Sequence, residues 1–100
     1  MEYFFVYILK CSDGSYYTGH TDNLEKRISE HQIGKYAGYT SSRLPVQVVF
    51  AQFFASRIGA IAAELRIKKW SRKKKEALIQ KNWKRLQYLA RNYSQFGIPN

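Results

Sequence analysis

Residues 3–19 read YFFVYILKCSDGSYYTG, and the fold follows from how this stretch is parsed. Tyr3–Leu9 is a run of aromatic and β-branched side chains, the composition of a buried strand. It is too short for a membrane span, which takes about 20 apolar residues. Glu2 rather than a basic residue precedes it, so it does not read as a signal peptide. Asp13-Gly14 is a turn signal and Tyr16-Tyr17-Thr18 opens a second strand, giving a β-hairpin. A two-residue turn at Asp13-Gly14 would pair Lys10 with Tyr17 and send Tyr7 and Tyr17 to opposite faces. For both rings to reach one face, the hairpin needs an odd loop or a bulge with Gly14 in the left-handed region. We predict that geometry.

Downstream, Asp22 is the expected cap of a first helix, with Glu25 completing a capping-box-like pattern. Leu24 and Ile28 keep helical spacing, so this helix should run from Asn23 to Gln32 and stop at Gly34. Residues 34–45 (GKYAGYTSSRLP) form a loop, and Val46–Phe54 is a third strand. Ser56 caps a second helix whose apolar positions are Ile58, Ile61, Ala62 and Leu65, ending near Trp70. Ser71 opens a short helix through Ile79. Trp83, Leu86, Leu89, Ala90 and Tyr93 share one face of a last helix. Trp70, Trp83, Leu86 and Leu89 read as core, and residues 96–100 as a frayed or loosely docked end. The order is ββαβα plus C-terminal helices, an α+β fold on a small three-stranded antiparallel sheet. Residues 1–80 read as the domain and 81–100 as a helical extension packed on it.

At 100 residues the chain is one domain by length, and 45% hydrophobic with 24% charged residues excludes a largely disordered chain. The charge balance is the unusual part: 17 Lys+Arg against 7 Asp+Glu. Residues 1–33 carry a net −2 and residues 34–100 a net +12. Such a half suits a polyanion, most commonly nucleic acid, with an anionic membrane surface ranked last. The single cysteine, Cys11, excludes an intramolecular disulfide and a cysteine-built zinc site, and fits a reducing compartment. With no targeting segment visible, the expected location is the cytoplasm.

One constellation stands out. Tyr7 lies in Val6-Tyr7-Ile8 on the first strand and Tyr17-Thr18-Gly19 follows on the second. Arg27 and His31 lie one turn apart on the first helix, and Glu64 sits on the second, ahead of basic residues. This set resembles the GIY-YIG nuclease family, in particular its small stand-alone bacterial members, across roughly residues 3–80. The resemblance rests on Tyr17–His31 (YTGHTDNLEKRISEH), the loop Gly34-Lys35 with Thr40, Arg43 and Pro45, and Glu64–Ile79 (ELRIKKWSRKKKEALI). Phe5 replaces the glycine of the first triplet and Thr18 the isoleucine of the second. Glu76 stands where many relatives place an asparagine.

The resemblance implies a metal-dependent endonuclease hydrolysing phosphodiester bonds, with DNA as the expected partner, RNA next and no obligate protein partner. DNA repair or processing is the expected setting. It assigns Tyr7 as general base, Tyr17 as its partner orienting water or phosphate, and Arg27 and His31 as the remaining catalytic groups. Glu64 is the expected ligand for Mg²⁺ or Mn²⁺, an ion that keeps several waters and shares phosphate oxygens. A free phenol is only roughly 0.1% ionised at neutral pH, so Tyr7 needs a nearby cation or a proton acceptor. Arg27, a bound metal and His31 are the candidates.

Lys35, Thr40 and Arg43 on the loop, and Lys68, Lys69, Arg72, Lys73, Lys74 and Lys75 beyond Glu64, are the expected nucleic-acid contacts. About six phosphate contacts would give log affinity a slope of roughly −5 against log salt. His20 reads as a surface loop residue, and Glu64 can also pair with Lys68 at i+4. The alternative function is a non-catalytic nucleic-acid-binding module, for DNA or structured RNA, with a degenerate nuclease site. A third reading is a basic protein docking on ribosomal RNA or on a protein partner.

Overall fold

An apolar strand is buried on both faces only where both sides of its sheet are covered, and Val6–Leu9 meets that demand. The structure is a computed structural model and describes residues 3–95. Strands β1 (Phe4–Lys10), β2 (Tyr16–Thr21) and β3 (Gln47–Phe54) form an antiparallel sheet in the order β2-β1-β3. Val6, Tyr7, Ile8 and Leu9 of the central strand are fully buried. Alternation sends Tyr7 and Leu9 to one face, where they pack with Tyr17 and with Leu24 and Ile28 of α1 (Leu24–Gln32). The other face carries Phe4, Val6, Ile8, Thr18 and His20 toward α2 (Arg57–Lys68), whose Arg57 guanidinium lies 4.8 Å from the centroid of the Phe4 ring.

The hairpin adopts the register that one shared face requires. Leu9 pairs with Tyr17 and Tyr7 with Gly19. The Cys11 N–H donates to the Ser15 carbonyl at 2.8 Å and the Gly14 N–H to the Cys11 carbonyl at 2.9 Å. Ser12, Asp13 and Gly14 thus form an odd loop, with Gly14 at φ 84°. A second irregularity lies on β3. Ile8 faces Phe50 but Leu9 faces Val48, so Val49 is the extra residue of a bulge that returns Val48 to the α1 side.

Most helix starts follow the sequence reading. Ser56 accepts from the Gly59 N–H at 3.1 Å, and Ser71 accepts from the Lys74 N–H at 3.2 Å. The first start shifts by one residue. Asn23, not Asp22, accepts from the Lys26 N–H at 3.1 Å, while Asp22 pairs with Arg57 at 3.3 Å. α2 also ends at Lys68, short of Trp70.

The chain divides after Lys69 into two compact units. Helices α3 (Arg72–Ile79) and α4 (Trp83–Gln95) pack together in the second. Within that unit α3 finds its partner in α4. Lys81 at φ 57° closes α3, and the Asn82 side chain caps α4 through the Arg85 N–H at 3.1 Å. Trp83, expected in the core, is 55% exposed. The expected frayed end, residues 96–100, lies outside the described residues.

Thr18 leaves one polar atom stranded. It is buried beneath α2, and its Oγ1 has no hydrogen-bond partner among the described residues. A buried unsatisfied hydroxyl costs about 1–3 kcal/mol. Thr18→Val, which keeps the shape and removes the hydroxyl, is therefore expected to stabilise the fold by about 1 kcal/mol. A higher urea midpoint at unchanged slope would show this, and a midpoint at or below wild type would contradict it.

Candidate active site

Tyr7 projects from β1 onto the α1 side, where its hydroxyl lies 2.9 Å from His31 Nε2. His31 ends the stripe that α1 turns toward the sheet and is 2% exposed. Its Nδ1 lies 3.0 Å from the Thr40 hydroxyl, contributed by the loop after α1. The Tyr17 ring centroid is 6.5 Å from that of Tyr7 and 5.4 Å from that of His31. Arg27, one turn before His31, sets its guanidinium charge beside the Tyr7 hydroxyl. Its guanidinium also lies 5.1 Å from the Tyr36 ring centroid. Two tyrosines, an arginine and a histidine from β1, β2 and α1 thus meet on one face.

Gly19 makes room for them. A Cβ built there would come within 2.5 Å of the Tyr7 Oη and 2.7 Å of its Cζ. Only a residue without a side chain lets the phenol lie across the edge strand at this point.

Burial raises the Tyr7 pKa above its ordinary 10, and Tyr17 adds to the rise. The Arg27 guanidinium beside it pulls it back, while the Glu64 charge raises it slightly. His31 is shifted down from 6.5, first by burial and then by Arg27. A protonated phenol therefore faces a neutral imidazole. We assign the Tyr7 O–H as donor to Nε2 and the His31 Nδ1–H as donor to Thr40.

Beside Arg27 opens a polar cleft of ≈ 320 Å³, lined in part by Lys26, Glu30, Lys35 and Tyr36. Lys35 and Tyr36 both bond to Glu30 and hold its carboxyl down to about 2. Glu30 thus remains anionic and ties down the loop that carries Thr40.

Glu64 comes from α2, is 8% exposed and lies close enough to Tyr7 for its charge to act on the phenol. His20 Nδ1 lies 3.2 Å from its Oε1, and Lys68 Nζ 3.7 Å from its Oε2. His20 is therefore a β2 residue packed on a carboxylate, not the surface loop residue expected from sequence. Among the described residues no three His, Cys, Asp or Glu side chains cluster as a closed metal cage. One partly buried carboxylate does fit a hydrated Mg²⁺ or Mn²⁺ ion, whose other positions go to water and phosphate.

The expected nucleic-acid contacts divide. Lys68, Lys69, Arg72 and Lys73 are exposed, with Arg72 Nε 3.3 Å from Glu76. Lys75 is half-buried, and burial lowers its pKa. Arg43 pairs with Asp13 at 3.0 Å and covers the Tyr39 ring at 3.9 Å, while Lys35 is tied to Glu30. Two expectations need correction. Thr40 is 3% exposed and bonded to His31, and Lys74 is 4% exposed with its ammonium 4.4 Å from the Trp70 ring centroid. Neither side chain is open to a polyanion, since neighbouring rings enclose both.

No helix among the described residues is long and apolar enough to cross a membrane. The model of the GIY-YIG catalytic domain matches residues 3–77. A UPF0213 protein of Syntrophus aciditrophicus is 49% identical over 83 residues, covering 82% of this chain and 95% of that protein. UPF0213 protein YazA of Bacillus subtilis is 46% identical over 76 residues, covering 76% and 77%. The solution structure of UPF0213 protein BH0048 from Bacillus halodurans is similar at TM-score 0.53 and 44% identity, over 78% of this chain and 83% of that one. Protein EF2693 from E. faecalis gives 0.56 and 39%, over 81% and 90%. On that match, and with both tyrosines, the arginine and the histidine gathered on one face, the chain belongs to the GIY-YIG catalytic domain family and so to the nuclease superfamily that the family defines.

Proposed function

We propose that the chain is a metal-dependent endonuclease that hydrolyses DNA phosphodiester bonds, in repair or processing. The observation that carries this reading is the buried contact of 2.9 Å between the Tyr7 hydroxyl and His31, with the Arg27 charge beside the same oxygen. A phenol becomes a base only when its proton has somewhere to go. His31 Nε2 accepts that proton, and Thr40 holds the ring in the tautomer that can take it. Arg27 favours the resulting phenolate by charge and presents its remaining donors to phosphate oxygens. Tyr17 closes the site beside them and orients water or phosphate. Glu64, with His20 beside it, would hold the divalent cation, which when bound supplies positive charge to the phosphate and the leaving oxygen. The excess of 17 bases over 7 acids supports a polyanionic substrate.

The test is cleavage of single-stranded, duplex, flap and branched DNAs with Mg²⁺ or Mn²⁺ by wild type, Tyr7→Phe and Glu64→Gln. Loss of a positioned acid–base group typically costs about 10²–10⁴ in rate, and Tyr7→Phe should fall that far; Glu64→Gln, which removes the cation ligand, should lose cleavage as well. Equal cleavage by all three proteins would mark a contaminant and sink the proposal. A second reading, a nucleic-acid-binding module, is favoured by one observation. Glu76, where many relatives place an asparagine, is engaged with Arg72 at 3.3 Å. Salt-sensitive binding without cleavage would select it.

A further inference from the structure

His20 follows Gly19 on β2, so it faces the opposite side of the sheet from Tyr7. Its Nδ1 meets Glu64 Oε1 at 3.2 Å across 44 residues of sequence. The two side chains are 27% and 11% exposed, so the pair is reachable from solvent yet held by its surroundings. Lys68 holds the other carboxylate oxygen at 3.7 Å and fixes which oxygen faces the imidazole. Two ligands at right angles on a six-coordinate ion, each about 2.1 Å from it, lie about 3.0 Å apart. The separation of the His20 nitrogen and the Glu64 oxygen is therefore already that of neighbouring ligands on one ion.

We infer that His20 is a second protein ligand, beside Glu64, for the divalent cation of this site, and that its nitrogen shifts the site's preference from Mg²⁺ toward Co²⁺-like ions. The inference rests on the reading of Glu64 as a cation ligand. A lone carboxylate with water and phosphate oxygens suits Mg²⁺, whereas imidazole favours later first-row ions. The chain holds only two histidines. Both ring nitrogens of His31 are engaged, with Tyr7 and Thr40. An imidazole signal on a bound ion would therefore come from His20.

Co²⁺ titrations of the full chain, followed by visible absorption and by paramagnetically shifted proton resonances, test this in wild type, His20→Gln and Glu64→Gln. Mg²⁺ affinity is read by competition. Wild type should show shifted imidazole protons. His20→Gln should lose them and weaken Co²⁺ binding by at least the roughly 10–100-fold that removing a metal ligand's supporting partner costs. Its Mg²⁺ affinity should change far less. A wild-type Co²⁺ complex without shifted imidazole protons overturns the inference without relying on any variant. So does a His20→Gln protein that binds Co²⁺ as tightly as wild type. If Glu64→Gln meanwhile loses the ion, the reading of Glu64 survives alone. Undiminished Co²⁺ binding by Glu64→Gln would bring down both.

Discussion

Gly19→Ala is expected to lower DNA cleavage by about two orders of magnitude while leaving the chain folded. The added methyl would come within 2.5 Å of the Tyr7 hydroxyl oxygen and 2.7 Å of the ring carbon that bears it. One of them must move. β2 is paired with the central strand through residues 16–21, so the phenol yields more readily than the backbone. A displacement of about 1 Å at a reacting group can cost about 10² in rate. Overpacking a buried site costs about 1–3 kcal/mol of stability. Single-turnover cleavage and urea unfolding would measure the two effects. A second comparison isolates the cause. In a Tyr7→Phe background the hydroxyl is gone, so the stability cost of Gly19→Ala should shrink. Wild-type cleavage by Gly19→Ala would mean that the phenol need not lie where it does.

His31→Gln is expected to cost about 10²–10⁴ in rate and to change the shape of the pH profile. In wild type, burial and the Arg27 charge push His31 below 6.5, so it stays a neutral acceptor for the Tyr7 proton at neutral pH. As pH falls through the lowered folded-state value, His31 takes a proton from solvent and can no longer accept one from Tyr7. Activity should therefore hold to below pH 6.5 and then decline. Glutamine can accept a hydrogen bond but not a proton, so the variant should lose both the rate and this acid limb. Stability moves in the same sense. The unfolded chain takes up the proton first, so the His31 contribution is present above pH 6.5 and is lost as pH falls through the folded-state value. A variant that kept the wild-type rate and the wild-type limb would remove His31 from the mechanism.

Tyr7, Tyr17, Arg27 and His31 were legible in the sequence because strand alternation and the helical turn are local rules. Given an odd hairpin loop, alternation alone puts residues 7 and 17 on one face, and Gly14 at φ 84° supplies that loop. One turn of helix then aligns residues 27 and 31. Thr40 and Lys74 were misjudged because a polar side chain in a basic context looks solvent-facing until its neighbours are known. Thr40 becomes a histidine partner only when its loop folds back over α1. Nor does any local pattern say that Gly19 is small because a phenol from the neighbouring strand lies over it.

The amino-acid sequence by itself determined the strands, the helix caps at Ser56 and Ser71, the left-handed glycine of the hairpin and the spacing of the aromatic and basic side chains, all consequences of contacts within a few residues. Only the tertiary structure decided which groups touch. The bonds of His31 to both Tyr7 and Thr40, the phenol over Gly19, the meeting of His20 with Glu64 and the assignment of α3 to α4 all depend on how separate elements pack. Distances between such elements are fixed by how helices and sheet pack, and local preference carries no record of that.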